Sequence, residues 1–496
     1  MTASAYAKLE ARFCRIAVFG QTEEMLHWDM STMMPSGGAG ARAEQLAVLK
    51  TARHALLTDL ETADLLEAAA AANLDDWQRA NLVEMGRQWR HATALDDDLV
   101  EATSRAESAC EMAWRGARPA DNFAAVLPDL KALLGLVRET ATAKGEVLGL
   151  DPYDALLDAY EPGGRQADID PLFDDLETFL PDFLGRVLEN QARRPAAVLP
   201  PGPFPIARQR ALARELMAAL GFDFDHGRLD ESRHPFCGGV PEDVRITTRY
   251  DKNDFTSSLM AVLHETGHAL YEQGLPLTWR HQPVGLARSM SVHESQSLLI
   301  EMQVCRSRPF LAFAAPLIGQ VFGGAGEAWD EGNLYRLLTR VEPGLIRVDA
   351  DEVTYPAHVI VRYGIEKAMI SGAMDAADLP AAWNEGMYRL LGMTPSGDGD
   401  GCLQDIHWYD GAWGYFPTYT LGAIAAAQIF AAAKGADGAI TAGIAEGNFK
   451  PLRAWLGDAI HGKGSLLSVP DLLTQATGRP LDVNVFKAHL EDRYLA

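Results

Sequence analysis

The amino-acid sequence predicts a mainly α-helical protein with a small strand element beside one central helix. Over roughly the first 190 residues, Leu and Ala recur at three- and four-residue spacing, which is the period of a buried helix face. Strand signals are almost absent from that part. Past the middle of the chain, a short segment with two-residue alternation precedes a segment with helical period. We expect the functional residues to lie around these two segments.

The N-terminal part is predicted to consist of long helices. Its clearest helical segments are Gln45–Ala71, Asp75–Ala92 and Asn122–Leu148. The irregular segment His27–Gly40 contains Pro and Gly, and it is predicted to be a turn between helices rather than a functional site. A functional role for His27 and Asp29 is the alternative.

The Pro-rich segment over residues 195–205 is the most evident break in the chain. Such a composition is typical of a loop or linker where two lobes meet. We therefore expect a single body over residues 1–496, in which a helical lobe over 1–194 is joined by this loop to a second lobe over 206–496.

The composition excludes several classes of protein. The chain has 44 Lys and Arg against 68 Asp and Glu, and its formal charge of −24 opposes general binding to nucleic acid or to an anionic membrane. The most apolar stretch, Leu421–Ala433, is too short to cross a bilayer and is predicted to be a buried helix.

The cysteines and the N-terminus predict a cytoplasmic protein. The five cysteines are scattered, odd in number and without a CxxC pair, so a disulfide framework is not expected. Lys8, Arg12 and Arg15 interrupt the apolar residues of the first segment, which therefore lacks the continuous apolar core of a signal peptide.

The segment Asp243–Tyr250 has the alternation of a strand with one buried face, because apolar or small residues alternate with Arg245, Thr247 and Arg249. The free edge of such a strand can pair with the backbone of an extended peptide. We expect that use here. A purely structural strand with solvated arginines is the alternative.

The central helix is predicted over Leu259–Gly274 and contains an HExxH motif formed by His264, Glu265 and His268. In a helix, residues four apart lie on one face, so both imidazoles can bind the same metal ion. Glu265 lies one step around the helix, beside the position of an activated water. A structural zinc site fits poorly, because such sites are closed by Cys and His at short spacings.

A catalytic zinc normally takes a third protein ligand. The pattern HExxHxxGxxH is absent, because Tyr271 stands at the Gly position. A second helix starting near residue 290 offers Glu294, which is our predicted third ligand. Three alternatives remain open: Ser291 and Glu294 can instead form a capping box, and His293 or Glu301 can be the ligand.

Several separated motifs together resemble one family. HETGH is followed by HESQ at His293–Gln296, and further motifs occur in order. They are HPF at 234–236, DxRxT at 243–247, IRxxAD at 346–351, GxxQDxHW at 401–408, WDMSTMMP at 28–35 and YEPG at 160–163. This set is similar to that of the M32 metallocarboxypeptidases, the carboxypeptidase Taq family, and it covers nearly the whole chain.

The resemblance implies an almost wholly helical fold with a deep active-site groove, commonly a homodimer, that removes single residues from peptide C-termini. It also implies one Zn²⁺ or Co²⁺ per chain. His264, His268 and Glu294 match the metal ligands of the family, and Glu265 matches the general base. The other motif residues, His234 among them, are implied to line the groove.

An exopeptidase needs a fixed cation that recognises the free terminal carboxylate. Arg245 and Arg347 both lie in the motifs, and a guanidinium holds a carboxylate with two parallel hydrogen bonds. An ordinary ion pair with a neighbour such as Asp243 or Asp351 is the alternative for either arginine.

The tetrahedral intermediate of peptide hydrolysis requires a hydrogen-bond donor for its oxyanion. His407, Tyr409 and Tyr415 are the candidates, and the sequence does not rank them. His407 with Asp405 is alternatively a pair that orients a ligand.

Two other functions remain compatible with the motifs. HExxH chemistry alone permits a metalloendopeptidase or a dipeptidase, and a non-catalytic helical peptide-binding protein is the third reading. The intact Glu265 argues against the last. The metal, the preferred terminal residue and the dimer interface do not follow from the sequence.

Overall fold

The computed structural model describes residues 4–496, and within them the chain is almost wholly helical. The helices that precede the strands are α1 (Ala5–Thr32), α2 (Ala39–Thr58), α3 (Leu60–Ala70), α4 (Asp76–Thr93), α5 (Asp97–Ala117), α6 (Phe123–Leu148), α7 (Pro152–Leu157), α8 (Gln166–Ala192) and α9 (Ile206–Leu220). The three strands are β1 (Gly227–Glu231), β2 (Phe236–Val240) and β3 (Asp243–Thr248).

The second half continues the helical architecture. Its α-helices are α10 (Thr256–Gly274), α11 (Met290–Leu298), α12 (Arg308–Phe322), α13 (Glu331–Leu338), α14 (Tyr355–Ser371), α15 (Leu379–Leu391), α16 (Pro417–Ala436), α17 (Ala439–Glu446), α18 (Lys450–Ala459), α19 (Val469–Thr477) and α20 (Val483–Leu495). A π-helix over Leu299–Cys305 follows α11 directly, and a short 3₁₀ turn covers Arg347–Asp349. None of the described helices combines the length and apolar character needed to span a bilayer.

The chain groups into two compact units, and both are discontinuous in sequence. One comprises Met1–Ala92 (described from Ser4), Ala196–Thr339 and Ala425–Leu481. The other comprises Thr93–Pro195, Arg340–Ile424 and Asp482–Ala496. These two units differ from the expected lobes over 1–194 and 206–496, because each unit combines stretches that are far apart in the sequence.

The first unit contains the sheet and α10. In the core beside α1, buried residues of several helices pack together: Tyr6, Leu9, Phe13, Ile16, Leu65, Ala69, Leu74 and Met85. The α10 helix contacts α9, α11, β2 and β3. In the second unit, α6 packs against α5 and α7, while α14 packs against α8 and α15. The α6 spacing of buried Val126, Leu130 and Leu133 is the three- and four-residue period read from the sequence.

Two helix predictions are corrected by the structure. The segment Gln45–Ala71 is two helices, because the side chain of Asp59 accepts a hydrogen bond from the Glu61 backbone and starts α3. The segment His27–Gly40 is a turn only in its second part, since α1 continues to Thr32, just before Pro35. The loop predicted over 195–205 and the helix predicted over Leu421–Ala433 are found.

The prediction that β3 has a free edge is wrong. The strand order is β1-β3-β2, with β1 parallel and β2 antiparallel to β3, so β3 is the central strand. Val244 and Ile246 are buried as their alternation indicated. The neighbours were not foreseen, because polar residues dominate β1 and two glycines interrupt β2. The outer edges of the sheet belong to β1 and β2.

Candidate active site

The two histidines of the HExxH motif lie one turn apart on α10. Asp254 accepts a hydrogen bond from the Thr256 backbone at 2.8 Å and so begins the helix. Opposite the histidines, α10 buries an apolar face that includes Val262 and Leu263. The centres of the His264 and His268 rings are 5.0 Å apart, and the rings are nearly perpendicular. Helix geometry and the buried face together hold both imidazoles toward one point.

Each imidazole is held through its Nδ1 atom. His264 Nδ1 lies 3.0 Å from a carboxylate oxygen of Glu301, and His268 Nδ1 lies 3.0 Å from the backbone carbonyl of His293. Because both acceptors are oxygens, each Nδ1 donates a proton to its partner, and each Nε2 is the ring atom that would bind a metal ion once deprotonated. Glu294 Oε2 lies 4.0 Å from His264 Nε2 and 3.6 Å from His268 Nε2.

These three side chains are suited to hold a metal ion. Their potential ligand atoms, from His264, His268 and Glu294, all lie within 4.8 Å of one another. Two nitrogens and one carboxylate oxygen form the donor set of a catalytic zinc site. The donor set therefore fits a divalent transition metal.

Close packing of α11 on α10 brings Glu294 to the histidines. A Cβ atom on Gly267 would lie only 2.3 Å from the backbone oxygen of Gln296, so a glycine is required for this approach. The capping-box alternative does not apply, because Ser289 is the N-cap and accepts from the Val292 backbone. Glu294 therefore lies two positions beyond the place that a capping-box glutamate occupies.

The two other ligand candidates occupy different positions. The His293 ring stacks on that of His268, with ring centres 4.5 Å apart, and its Nε2 lies 2.8 Å from a carboxylate oxygen of Glu272. Glu301 lies on the π-helix and contacts the Nδ1 side of His264, while Arg306 donates to Glu301 at 2.5 Å. The seven-residue spacing from Glu294 to Glu301 was the available signal for this support, because it indicates one helix face.

The charges around the histidines set their protonation. Burial lowers the pKa of His264, but the hydrogen bond with Glu301 and the nearby carboxylates outweigh burial and raise it to about 10. Burial also lowers the pKa of His268, and its neighbours do not outweigh burial, so this pKa stays well below its usual value. Such an excess of negative charge around imidazoles is what a divalent cation compensates.

Glu265 is 8% exposed and lies beside the same group of charges. Burial raises the pKa of its carboxyl group to about 7, and the Glu294 and Glu301 carboxylates act in the same direction against His264. A carboxyl group whose pKa is near neutrality can both accept and return a proton. This property distinguishes it from an ordinary surface glutamate.

Arg245 and His234 belong to the sheet region of the first unit. Arg245 forms a bidentate pair with Asp243, with nitrogen to oxygen distances of 3.0 and 2.5 Å, and its guanidinium lies 4.4 Å from the Trp28 ring centre. Arg245 thus forms the ion pair with Asp243 that was the alternative to carboxylate recognition. His234 is exposed, and its backbone carbonyl accepts a hydrogen bond from Ser232.

Arg347 lies in a polar cluster of the second unit. Its Nη2 donates to Asp405 at 2.7 Å and its Nε lies 3.2 Å from both oxygens of that carboxylate. The pairing with Asp351 considered from the sequence is replaced by Asp405. Arg362, which the sequence reading missed, donates to the other oxygen of Asp405 at 2.7 Å. In the sequence, the only indication of a role for Arg362 is that a charged residue stands among the apolar residues of α14.

His407 and Tyr409 differ in their surroundings. His407 Nε2 lies 3.1 Å from the Tyr419 hydroxyl, and burial together with Arg347 lowers the pKa of His407 to about 4. Tyr409 is fully buried and donates its hydroxyl to the Cys402 carbonyl at 3.0 Å. The expectation that Tyr409 is a candidate oxyanion donor is therefore corrected, because its hydroxyl already donates to the backbone of its own loop.

The helical fold and the centre on α10 and α11 define a protein of the HExxH metallopeptidase class. The family model described as Carboxypeptidase Taq (M32) metallopeptidase matches residues 8–494. The chain therefore belongs to the M32 family of metallocarboxypeptidases.

Individual relatives agree with this assignment. The chain is 40% identical to thermostable carboxypeptidase 1 of Thermus thermophilus, over 95% of this chain and 94% of the relative. It is 34% identical to thermostable carboxypeptidase 1 of Pyrococcus furiosus, over 98% and 97%. The solved structure of metallocarboxypeptidase 1 of Trypanosoma cruzi superposes with a TM-score of 0.97 at 41% identity, over 99% of each chain. The protein is thus a metallocarboxypeptidase.

Proposed function

We propose that His264, His268 and Glu294 bind one Zn²⁺ per chain, with Co²⁺ as the alternative ion. The support is the convergence of three ligand atoms on one point, with both histidine Nδ1 atoms already engaged. Zinc and cobalt accept the same nitrogen and oxygen donors, so metal analysis of the isolated protein must distinguish them.

We further propose that Glu265 is the general base. When bound, the metal ion supplies Lewis-acid chemistry, which lowers the pKa of a coordinated water from about 15.7 toward 7. Glu265 takes a proton as the water attacks the peptide carbonyl, and returns it to the leaving amine. Its buried carboxyl group, with a pKa raised to about 7 by burial, suits both steps.

Recognition of the free C-terminus is assigned to Arg347 in this proposal, with Arg245 second. One aspartate is shared between Arg347 and Arg362, which leaves an excess positive charge at that cluster. Arg245 has an aspartate of its own, so its pair is neutral. We expect Arg347→Lys to raise KM for free peptides roughly 10-fold or more, and Arg245→Lys to raise it less.

The remaining substrate contacts are proposals of lower rank. His407 has a pKa of about 4 through burial and Arg347, so it is neutral at pH 7 and retains one N–H for a substrate oxyanion. Tyr415 lies beside it, with ring centres 5.7 Å apart. His234 is proposed to contact peptide, because it is exposed two residues before the start of β2.

The convergence of ligand atoms at His264, His268 and Glu294 is the observation that carries the proposal. Its test is mass spectrometry of a free peptide and its C-terminally amidated twin, each incubated with zinc-loaded and with chelator-treated protein. We expect stepwise loss of single C-terminal residues from the free peptide only, and only with metal. Internal cuts in both peptides would instead indicate an endopeptidase and would refute the carboxylate site.

A homodimer in the cytoplasm is proposed for the assembly and location. The dimer is a property of the family that the motifs resemble, and the cytoplasm is suggested by five scattered cysteines, all of which are free thiols. Light scattering at micromolar concentration should give twice the 54.0 kDa chain mass. A mass of one chain would refute the dimer.

A further inference from the structure

In the second unit, two arginines share a single aspartate. Asp405 accepts from Arg347 on one side and from Arg362 on the other, with shortest contacts of 2.7 and 2.6 Å. Gln404 also joins them, because its Oε1 accepts from the Arg347 backbone and from Arg362 Nη2, both at 2.8 Å. Two guanidiniums and one carboxylate leave this cluster with a net charge of +1.

The two arginines have different freedom to bind a further anion. Arg362 is completely buried, and its remaining terminal nitrogen donates to the His358 carbonyl at 2.6 Å. Its guanidinium lies 4.3 Å from the Trp383 ring centre. Arg347 is 6% exposed and directs its Nε and Nη2 toward Asp405. The edge between its two terminal nitrogens is therefore the one left for an incoming carboxylate.

Arg362 keeps its positive charge although it is buried. Burial and the charge of Arg347 lower the pKa of Arg362, Asp405 opposes them, and the resulting value of about 10 keeps the guanidinium charged at neutral pH. Burial raises the pKa of Asp405, but the two guanidiniums outweigh it and hold that pKa well below its usual range. All three groups are thus ionised.

We infer that Arg362 is a positioning residue for C-terminal carboxylate recognition, acting by sharing Asp405 so that Arg347 keeps an uncompensated positive charge. Without Arg362, Asp405 would neutralise Arg347 and a peptide carboxylate would meet a pair of zero net charge. This inference rests on the proposed role of Arg347. Arg362 itself touches neither the peptide nor the reacting atoms.

The test compares two exchanges of similar size that differ in charge, Arg362→Gln and Arg362→Lys, in the zinc-loaded full-length enzyme. We expect Arg362→Gln to raise KM for a free peptide roughly 10- to 100-fold with little change in kcat. Arg362→Lys should stay within about 3-fold of wild type, because the charge is retained. The amidated twin should remain uncleaved in all forms.

A structural control comes from the same unit. Arg138 donates to the Met369 and Met374 carbonyls and is remote from Asp405 in the hydrogen-bond network. Arg138→Gln should lower the unfolding temperature and leave KM unchanged. An Arg362→Gln variant that folds and keeps the wild-type KM would overturn this inference but not the proposed function.

Two further outcomes are decisive. If Arg362→Gln does not fold, Arg362→Lys carries the test, and a folded Arg362→Lys with KM raised more than 10-fold would overturn the role of charge. A wild-type enzyme that shows no preference for the free terminus would overturn the proposed function and this inference together.

Discussion

The cluster around His264 and His268 in the first unit and the cluster around Asp405 in the second are both buried, and their charges have opposite signs. Around His264 and His268, three glutamates (Glu265, Glu294 and Glu301) outnumber the single Arg306. Around Asp405, two arginines outnumber one carboxylate. Buried charges are stable only when compensated, so each excess indicates the ligand that completes the cluster. The first requires a cation and the second an anion.

The supports of the clusters also differ. In the first unit, α10, α11 and the π-helix hold every ligand candidate on a regular backbone. In the second, Arg347 lies on a 3₁₀ turn and Asp405 on a loop, while only Arg362 lies on a long helix. Long regular elements position ligands more accurately than loops, which suits a metal ion with short, directed bonds.

The largest expected effect is the loss of turnover when Glu265 of the first cluster is replaced. Glu265→Gln removes the proton acceptor but none of the proposed metal ligands, so kcat should fall roughly 10²- to 10⁴-fold. Zinc content by atomic absorption should remain at one ion per chain. Turnover equal to wild type would refute the assignment of Glu265 as base.

A second test contrasts Asp405 with a buried carboxyl group that has no cationic partner. Glu366, in the same unit, accepts hydrogen bonds from the Gly414 backbone and Tyr153 at 2.7 and 2.9 Å. Burial raises its pKa from 4.5 to about 7. Because the folded state holds this proton more tightly, the stability it contributes is full below pH 4.5 and is lost as pH rises through about 7.

The free energy of unfolding of wild type, relative to Glu366→Gln, should therefore fall between these pH values by at most roughly 3 kcal/mol. Urea unfolding at several pH values measures this difference. The same exchange at the exposed Glu385 of α15 is the matched control. A flat difference for Glu366→Gln would show that the carboxyl group ionises normally.

A third test weakens the support of a metal ligand. Glu301→Gln keeps the size of the side chain at His264 Nδ1 but removes its charge, and zinc affinity should fall roughly 10- to 100-fold. Competition with a fluorescent chelator measures this constant. Glu215→Gln on the exposed side of α9 is the matched control, and an equal loss in both variants would refute the supporting role.

The smallest effect concerns backbone packing behind the metal site. Gly267→Ala places a methyl group 2.3 Å from the Gln296 carbonyl oxygen, so α11 must shift and unfolding free energy should fall by about 1 to 3 kcal/mol. Gly86→Ala in α4 meets no atom within 4 Å and should stabilise the protein slightly. Thermal unfolding compares the two, and equal values would mean that α11 adapts without strain.

The amount that could be predicted differed between the two clusters. The three residues that converge in the first cluster were predicted from the sequence, because HExxH places both histidines on one helix face and a second helix is the usual source of a third ligand. The contact of Glu301 with His264 was missed, because the seven-residue spacing from Glu294 indicates a shared helix face but not which atom of His264 the carboxylate reaches. Arg362 was missed because ion pairs distant in sequence leave no spacing pattern.

By itself, the sequence determined the mainly helical class, the helix that carries His264, Glu265 and His268, and the family. These features depend on residue types and on periods of two or four residues, which are local. Only the tertiary structure decided that β3 is central, that Tyr409 is buried and that Asp405 is shared by two arginines. Strand neighbours, burial and ion-pair partners depend on contacts between segments far apart in the chain, and local sequence patterns do not specify these contacts.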